Sequence, residues 1–156
     1  MDDNYLREGP ADPEAWRRQL PELFFGVVRL LRHHASEAAA DHGLSFLQSR
    51  ALRRLEEPMA TGTLAEQLGL DRSNVTSVVD RLEERGLVTR QAHPVDRRVK
   101  LLALTDAGRA TRAAIDEQTF ATVTLFDSLS DDDQRDLAAL LAKLLERADA
   151  GAAAAP

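Results

Sequence analysis

The sequence contains no cysteine among its 156 residues. Disulfide bonds, thiolate metal sites and redox sensing through a thiol are therefore excluded. His33 and His34 are adjacent, but adjacent side chains on a helix point about 100° apart and cannot easily bind one ion together. The sequence therefore predicts no metal site and no cofactor.

Long apolar runs are also missing, since none approaches the roughly 18–20 residues that a membrane-spanning helix needs. The opening stretch, MDDNYLREGP, is acidic and lacks the apolar segment of a signal peptide. We therefore expect a cytoplasmic protein that has no membrane partner.

Motifs of the common enzyme classes are absent as well. The sequence has no Gly-rich phosphate loop, no Gly-x-Ser-x-Gly nucleophile elbow and no spacing typical of metal ligands. Carboxylates are plentiful, but they fall on charged helix faces, where solvation is their usual role. The sequence predicts that the protein is not an enzyme.

Positive charge is scarce, because the chain has a formal net charge of −6. Its distribution is uneven: residues 71–100 carry 7 basic and 5 acidic side chains, whereas the segments on both sides are net acidic. Salt screens charge beyond about 8–10 Å, so the attraction of a polyanion is a local effect. A basic segment in an acidic chain is therefore compatible with binding to DNA phosphates.

The sequence does contain the element order of a winged helix-turn-helix, over residues 63–105. A capping box at residues 63–66 opens a short helix, and Gly69 is placed to make the turn that follows it. Asp71 is expected to cap a second helix, whose apolar positions recur at helical spacing. Two strands joined by a polar loop, residues 93–98, complete the pattern.

Helices with wide apolar stripes flank this domain. Residues 12–43 are expected to form an N-terminal dimerisation helix, which Pro21 should kink or split. The winged helix-turn-helix DNA-binding domain is assigned to residues 44–106, and C-terminal dimerisation helices to residues 107–148. The predicted fold class is mostly α with a small β wing of two strands. The ends of the chain are predicted to be flexible: residues 1–11 and 149–156.

The segment LAEQLGLDRSNVTSVVDRLEERGLVTR, followed by DRR and then LALTDAGR, resembles the MarR family of bacterial transcription regulators. The Asp-x-Arg motif of the family's wing is matched at residues 96–98. The Leu-Thr pair and the glycine that follow it in the family are present within residues 104–108. The resemblance covers roughly residues 20–147 and is most specific over residues 63–108.

The resemblance implies a homodimer in which the first helix and the last two helices of each subunit interlock. It implies that the second helix of the helix-turn-helix enters the DNA major groove, while Arg98 reaches the minor groove and Asp96 orients it. Many members are repressors that release DNA when a small, often phenolic, acid binds between the dimerisation helices and the winged domain. The branch that senses oxidants through cysteine is excluded here.

Polar side chains on the second helix and in the loop are the candidate DNA contacts. Asn pairs well with adenine, and Ser or Thr can bond a base or a phosphate, although such a face is often only solvated. Arginine suits phosphates and a narrow minor groove. Asp80 and Glu84 would be repelled by phosphate and are expected to pair with basic neighbours. The predicted DNA-binding residues are Arg72, Ser73, Asn74, Thr76, Ser77, Arg81, Asp96, Arg97 and Arg98.

Aromatic and basic side chains on the flanking helices are candidates for a pocket that binds an acidic effector. Aromatic residues on helices are more often part of a core, so this interpretation depends on the resemblance. The predicted effector-binding residues are Trp16, Phe24, Arg32, Phe46 and Arg50.

These features predict a sequence-specific transcriptional regulator that binds double-stranded DNA. The expected form is a homodimeric repressor of a pseudo-palindromic operator, released by a phenolic or aromatic acid. Two alternatives remain open. One is a constitutive regulator or an activator without small-molecule control, and the other is a winged domain that binds a protein partner instead of DNA.

Overall fold

The computed structural model describes residues 13–96, 98–122 and 124–153, and this part is mostly helical with a small sheet, as predicted. The sequence features outside it are residues 1–11 and 154–156, which were predicted to be flexible, the wing residue Arg97, and Asp12, which begins an Asp-Pro-Glu pattern typical of a helix start. In chain order the elements are α1 (Pro13–Asp41), α2 (Phe46–Arg54), β1 (Met59–Ala60), α3 (Thr61–Leu68), α4 (Arg72–Glu84), β2 (Val88–Ala92), β3 (Lys100–Leu104), α5 (Asp106–Thr122), a 3-10 turn (Thr124–Phe126) and α6 (Asp131–Ala153).

Helix α1 is continuous, with Pro21 in its interior. Of the two predicted effects of Pro21, a kink or a split, the split does not occur, because the loss of one backbone hydrogen bond does not end a helix of this length. After the helix, Gly43 adopts φ +64°, the left-handed conformation that favours glycine. Arg85 secures this end, since its guanidinium donates hydrogen bonds to the carbonyl oxygens of His42 at 2.9 Å and Gly43 at 2.5 Å.

The capping-box pattern occurs twice in the sequence, at residues 45–48 and at residues 63–66, and the structure treats the two differently. At α2 both bonds are present: the N–H of Gln48 donates to Ser45 Oγ at 3.2 Å, and the N–H of Ser45 donates to Gln48 Oε1 at 2.8 Å. At α3 the prediction is wrong, because the helix begins at Thr61 and not at the box that opens at Thr63. Asp71 is the N-cap residue of α4, but within the described residues its side chain makes no capping bond.

A three-stranded antiparallel sheet in the order β1-β3-β2 replaces the predicted two-stranded wing. β2 and β3 pair along their full length, with Val88 opposite Leu104. The third strand, β1, lies in a short segment whose sequence alone indicates a connector, and its Met59 pairs with Leu102 of β3. This long-range pairing fixes the backbone immediately before α3, which explains why that helix begins early.

The core of the winged domain lies among α2, α3, α4, the two long strands and the adjoining parts of α1 and α5. Helix α4 contributes Val75, Val79 and Leu82, all fully buried. Valine is a mediocre helix former, so this helix is held in place mainly by packing. Burial of the apolar stripe turns the polar face of the same helix outward.

Gly108 brings the first turn of α5 against the backbone that follows α4. A Cβ atom at this position would lie 1.9 Å from the carbonyl oxygen of Leu87. Thr105 ties the same segments together, because its Oγ1 donates to the carbonyl of Gly86 at 2.6 Å and accepts the N–H of Gly108 at 3.0 Å. The start of α5 is thus held by a close backbone approach that only glycine permits.

The chain divides into two compact units, with the boundary between Phe120 and Ala121. Helix α5 stops close to this boundary, at Thr122, although the helical spacing of its apolar residues as far as Phe126 predicts a helix to about residue 127. Thr122 and Thr124 are β-branched and therefore favour an end to the helix. Across the described residues, no helix is both long enough and apolar enough to span a bilayer.

Helix α6 forms most of the described part of the second unit. Ser130 caps its N-terminus, since Ser130 Oγ accepts the N–H of Asp133 at 3.2 Å. Aspartates in the first turn suit the positive end of the helix dipole. The helix continues to Ala153, so residues 149–153, which were expected to belong to a flexible tail, are helical.

Candidate nucleic-acid interface

One face of α4 presents polar side chains to solvent. Thr76 Oγ1 donates to the carbonyl of Arg72 at 2.8 Å, and Ser77 Oγ donates to the carbonyl of Ser73 at 3.4 Å. The hydroxyl oxygens keep their acceptor capacity for a further partner. Thr76 is partly buried, and the other predicted contacts on this helix are exposed: Arg72, Ser73, Asn74, Ser77 and Arg81.

An open cleft of about 680 Å³ lies beside the first turns of α3 and α4. Gly69, at φ +67°, makes the sharp turn that brings the two helices together. Arg72 and the free backbone N–H groups at the N-termini of these helices would attract a phosphate to the cleft. The carboxylates of Glu66 and Asp71 would repel it. The cleft is lined by Gly62, Ala65, Glu66, Gly69, Leu70, Asp71, Arg72 and Asn74.

The loop between β2 and β3 forms the wing and carries Asp96 and Arg98, both exposed. The carboxylate of Asp96 accepts the backbone N–H of Arg98 at 3.0 Å. The N–H of Val99 donates to the carbonyl of Asp96, also at 3.0 Å. The guanidinium of Arg98 is therefore carried on a turn whose backbone Asp96 fixes.

His93 also shapes the wing, and the sequence reasoning did not single it out. Its Nδ1 accepts the N–H groups of Val95 and Asp96, each at 3.2 Å. The backbone N–H of His93 donates to the carbonyl of Val99 at 2.9 Å. The signal that could have identified it is a hydrogen-bonding side chain directly before the Pro94 of a tight loop.

Arg90 on β2 binds two carboxylates of α4. Its Nη2 donates to Asp80 Oδ1 at 2.5 Å, and its Nη1 donates to Glu83 Oε2. The hydrogen bond with Asp80 and the negative charge of both carboxylates raise the pKa of the Arg90 guanidinium, against the effect of partial desolvation. The predicted basic partner of Asp80 is thus confirmed, and the second carboxylate is Glu83, which the sequence reasoning had missed.

Three of the five predicted effector residues come together. Arg32 of α1 and Arg50 of α2 each place the guanidinium carbon 5.9 Å from the centre of the Phe46 ring. We call these three residues the Arg–Phe–Arg cluster. Phe24 and Trp16 lie about 12 and 24 Å from Arg32 along the axis of α1, so the structure does not bring them to the cluster.

Comparison with known proteins relates these features to one protein family. Residues 47–100 match the sequence model of the MarR family. The uncharacterized HTH-type transcriptional regulator YcgE of Bacillus subtilis is 37% identical over 73 residues, which are 47% of this chain and 47% of that protein. The alignment therefore spans about half the length of that relative.

Two further similarities extend over most of the chain. The HTH-type transcriptional regulator MgrA of Staphylococcus aureus is 27% identical over 142 residues, which are 89% of this chain and 96% of that protein. The crystal structure of CouR from Rhodococcus jostii RHA1, bound to p-coumaroyl-CoA, has a TM-score of 0.65 at 29% identity and covers 80% of this chain and 90% of that one.

An exposed polar helix beside an arginine-bearing wing, on one small helical core, defines the winged helix-turn-helix class of transcription regulators. Within that class, the chain is similar to the MarR family, whose sequence model matches residues 47–100. These relatives are regulators of transcription, which confirms the prediction that the chain is not an enzyme.

Proposed function

We propose that the protein binds double-stranded DNA sequence-specifically as a homodimer and represses transcription from a pseudo-palindromic operator. The observation that carries this proposal is the exposed polar face of α4 beside a wing that holds Arg98 on a fixed turn. A DNA partner in a bacterial-type regulator also supports a cytoplasmic location.

Helix α4 is the proposed reading element of the major groove. Asn74, Ser73 and Ser77 are exposed and offer the donors and acceptors that base edges recognise. Arg72, at the start of the helix, is proposed to contact a phosphate. Thr76 and Arg81 extend the same surface along the helix.

The wing is the proposed minor-groove element. A narrow, A·T-rich minor groove concentrates negative potential and attracts arginine. Arg98 and its neighbour Arg97 are proposed to enter it. Asp96 would act indirectly, by holding the backbone of Arg98 through the 3.0 Å bond described above.

Exposed apolar side chains support the proposed homodimer. On α6, Leu140, Leu144 and Leu145 are each at least 60% exposed. Contiguous apolar surface on a soluble protein marks an interface. Two-fold symmetry would present two copies of α4 to half-sites about 10 base pairs apart. The exposed apolar side chains of α1 are Trp16, Leu20, Leu23, Phe24, Phe25, Val27, Val28 and Leu30.

A small aromatic acid is the proposed effector. In the Arg–Phe–Arg cluster two guanidinium groups offer charge for a carboxylate, and the ring of Phe46 offers a flat apolar surface. The similar protein CouR was solved with p-coumaroyl-CoA, so aromatic acids and their thioesters are the compounds to test. A coupling energy of about 1–3 kcal/mol would suffice to release DNA.

The first test is a titration of the purified full chain against a duplex from its own promoter region, with a random duplex alongside and the salt concentration varied. Tight, selective and steeply salt-dependent binding would support the proposal. Weak binding without selectivity or salt dependence would contradict it and favour a winged domain that binds a protein partner.

Control by an effector is tested separately, by thermal shift with a panel of aromatic acids and by release of the bound duplex. Stabilisation of the protein without release from DNA would contradict the proposed release. Absence of any shift would favour a constitutive regulator or an activator.

A further inference from the structure

Two carboxylates lie on the stripe of α4 that the proposed function turns toward DNA. Asp80 follows Ser77 by three positions and Ser73 by seven, and side chains at these spacings share one helix face. Glu83 lies one turn beyond Asp80, at the edge of this stripe. The side chains of Asp80 and Glu83 are 49% and 37% exposed, so phosphate would repel them if they were unpaired.

A single guanidinium pairs with both carboxylates. Arg90 reaches Asp80 through Nη2 and Glu83 through Nη1, so its planar fork is occupied at two nitrogens. Its side chain is only 31% exposed, less than either carboxylate. Arginine in this state has little free surface with which to meet a phosphate.

The position of Arg90 in the fold gives this contact a second consequence. Arg90 lies in the middle of β2, opposite Leu102 of β3, and β2 leads directly into the wing. The two ion pairs therefore connect α4 to the strand that carries the wing. Contacts of this kind fix the angle between an element and its neighbour when both partners are partly buried.

Building on the proposed function, we propose that Arg90 is a positioning residue for DNA binding. It neutralises Asp80 and Glu83 and holds α4 against the strand that leads into the wing, and it does not itself contact DNA. This role differs from that of Arg72 and Arg98, whose exposed guanidinium groups are free to meet the phosphates or the minor groove.

The test compares the effect of Arg90→Gln in two backgrounds. One is the wild type. The other is the double variant Asp80→Asn/Glu83→Gln, in which the two negative charges that Arg90 would neutralise are absent. The probe is a fluorescent duplex of arbitrary sequence at low salt, because phosphate attraction does not depend on sequence and no operator is needed. Affinity is measured by anisotropy with the full chain.

In the wild-type background, Arg90→Gln is expected to weaken binding about tenfold or more, because two carboxylates are left facing phosphate. In the double-variant background the same change is expected to weaken binding by less than about threefold, since contacting residues are strongly coupled. Equal losses in both backgrounds would mean that Arg90 contacts DNA directly, and would overturn the proposal. No loss in the wild-type background would overturn it as well.

The matched control is Arg135→Gln, which removes the same charge and an exposed ion pair with Asp132 at 2.8 Å on α6. It is expected to change affinity by less than about twofold, as exposed pairs contribute little. A loss as large as that of Arg90→Gln would show that net charge alone sets the affinity, and would overturn the proposal.

Should Arg90→Gln unfold the protein in a thermal melt, the double variant with Arg90 retained still decides the question. Its binding is expected to equal or exceed that of the wild type, because the two introduced amides would carry no charge toward phosphate and would keep an oxygen acceptor for the Arg90 guanidinium. A tenfold loss would overturn the proposal. Failure of the wild type to bind any duplex would instead overturn the proposed function, and this inference with it.

Discussion

At the scale of single residues, Arg98 is the side chain on which the minor-groove contact depends. We expect Arg98→Ala to weaken operator binding at least tenfold, about 1.4 kcal/mol, because the guanidinium that would enter the groove is removed. The backbone bond from Asp96 involves only the N–H of Arg98, so the turn should survive the change. A gel-shift titration measures the loss, and size-exclusion chromatography should show an unchanged oligomer.

Arg54→Ala is the control for this prediction, because Arg54 is an exposed arginine on α2, outside both α4 and the wing. Its affinity should stay within about twofold of the wild type, the effect expected of a remote surface charge. Equal affinities of the wild type and Arg98→Ala for the operator would show that Arg98 of the wing does not contact DNA.

Gly108 supports a prediction about stability. We expect Gly108→Ala to lower the free energy of unfolding by at least about 2 kcal/mol, because its Cβ would overlap the carbonyl oxygen of Leu87. The nearby atom is backbone and cannot rotate away. Urea denaturation followed by circular dichroism measures the change.

Gly62→Ala is the matched control, since Gly62 lies in helix α3 and a Cβ there would meet nothing within 4 Å. Alanine favours a helix more than glycine, so this variant should be neutral or up to about 1 kcal/mol more stable. If Gly108→Ala were equally well tolerated, the close approach of α5 to Leu87 would not exist in solution.

At the scale of elements, the apolar stripe of α6 is exposed, and in the proposed homodimer a second subunit would cover it. We expect Leu140→Glu/Leu144→Glu to shift the protein from dimer to monomer in sedimentation velocity, because two charges would enter an apolar interface. Operator affinity should fall by about tenfold or more, since one α4 helix cannot hold two half-sites.

Lys143→Glu is the control on the same helix, as it adds a negative charge at a position that is already polar and exposed. It should remain a dimer. A double variant that also sediments as the wild type would exclude the α6 stripe from the interface.

Helix boundaries show how far local sequence determines this fold. The capping box at Ser45 was predictable because both of its bonds join residues three positions apart. The start of α3 was not predictable in this way, because Met59 pairs with Leu102, which lies far away along the chain. Local patterns therefore identified the helices, while strand pairing decided where one of them begins.

The residues of the candidate site also differ in whether the local sequence predicts their position. The exposed residues of α4 follow from helical periodicity, so the sequence alone places Ser73 and Ser77 on an outward face. The contacts of Arg90 and His93 depend on how two elements or a tight turn come together, and neither has a periodic signature. Side chains that position others are thus harder to predict than side chains that are exposed.

At the scale of the whole molecule, the balance of charge predicts the response to salt. Four arginines per subunit are proposed to meet DNA, so a dimer neutralises about four to eight phosphates. A plot of log affinity against log salt concentration should then have a slope of roughly −4 to −7. The measurement is an anisotropy titration with the promoter duplex at several salt concentrations.

A slope close to zero would be incompatible with phosphate contacts and would favour a protein partner for the winged domain. The net charge of −6 enters this prediction too, because the acidic remainder of the chain repels DNA that does not fit the basic face. Binding to a random duplex should therefore be weak at moderate salt even if the operator is bound tightly.

The glycine positions of this chain differ in the substitutions that they can accept during evolution. In a library in which each codon is randomised and folded chains are kept, position 108 should retain only glycine codons, because any Cβ meets the Leu87 carbonyl. Gly69, at φ +67° in open space, should also accept asparagine. Gly62 should tolerate many residues. The three glycine positions should therefore accept three different sets of substitutions.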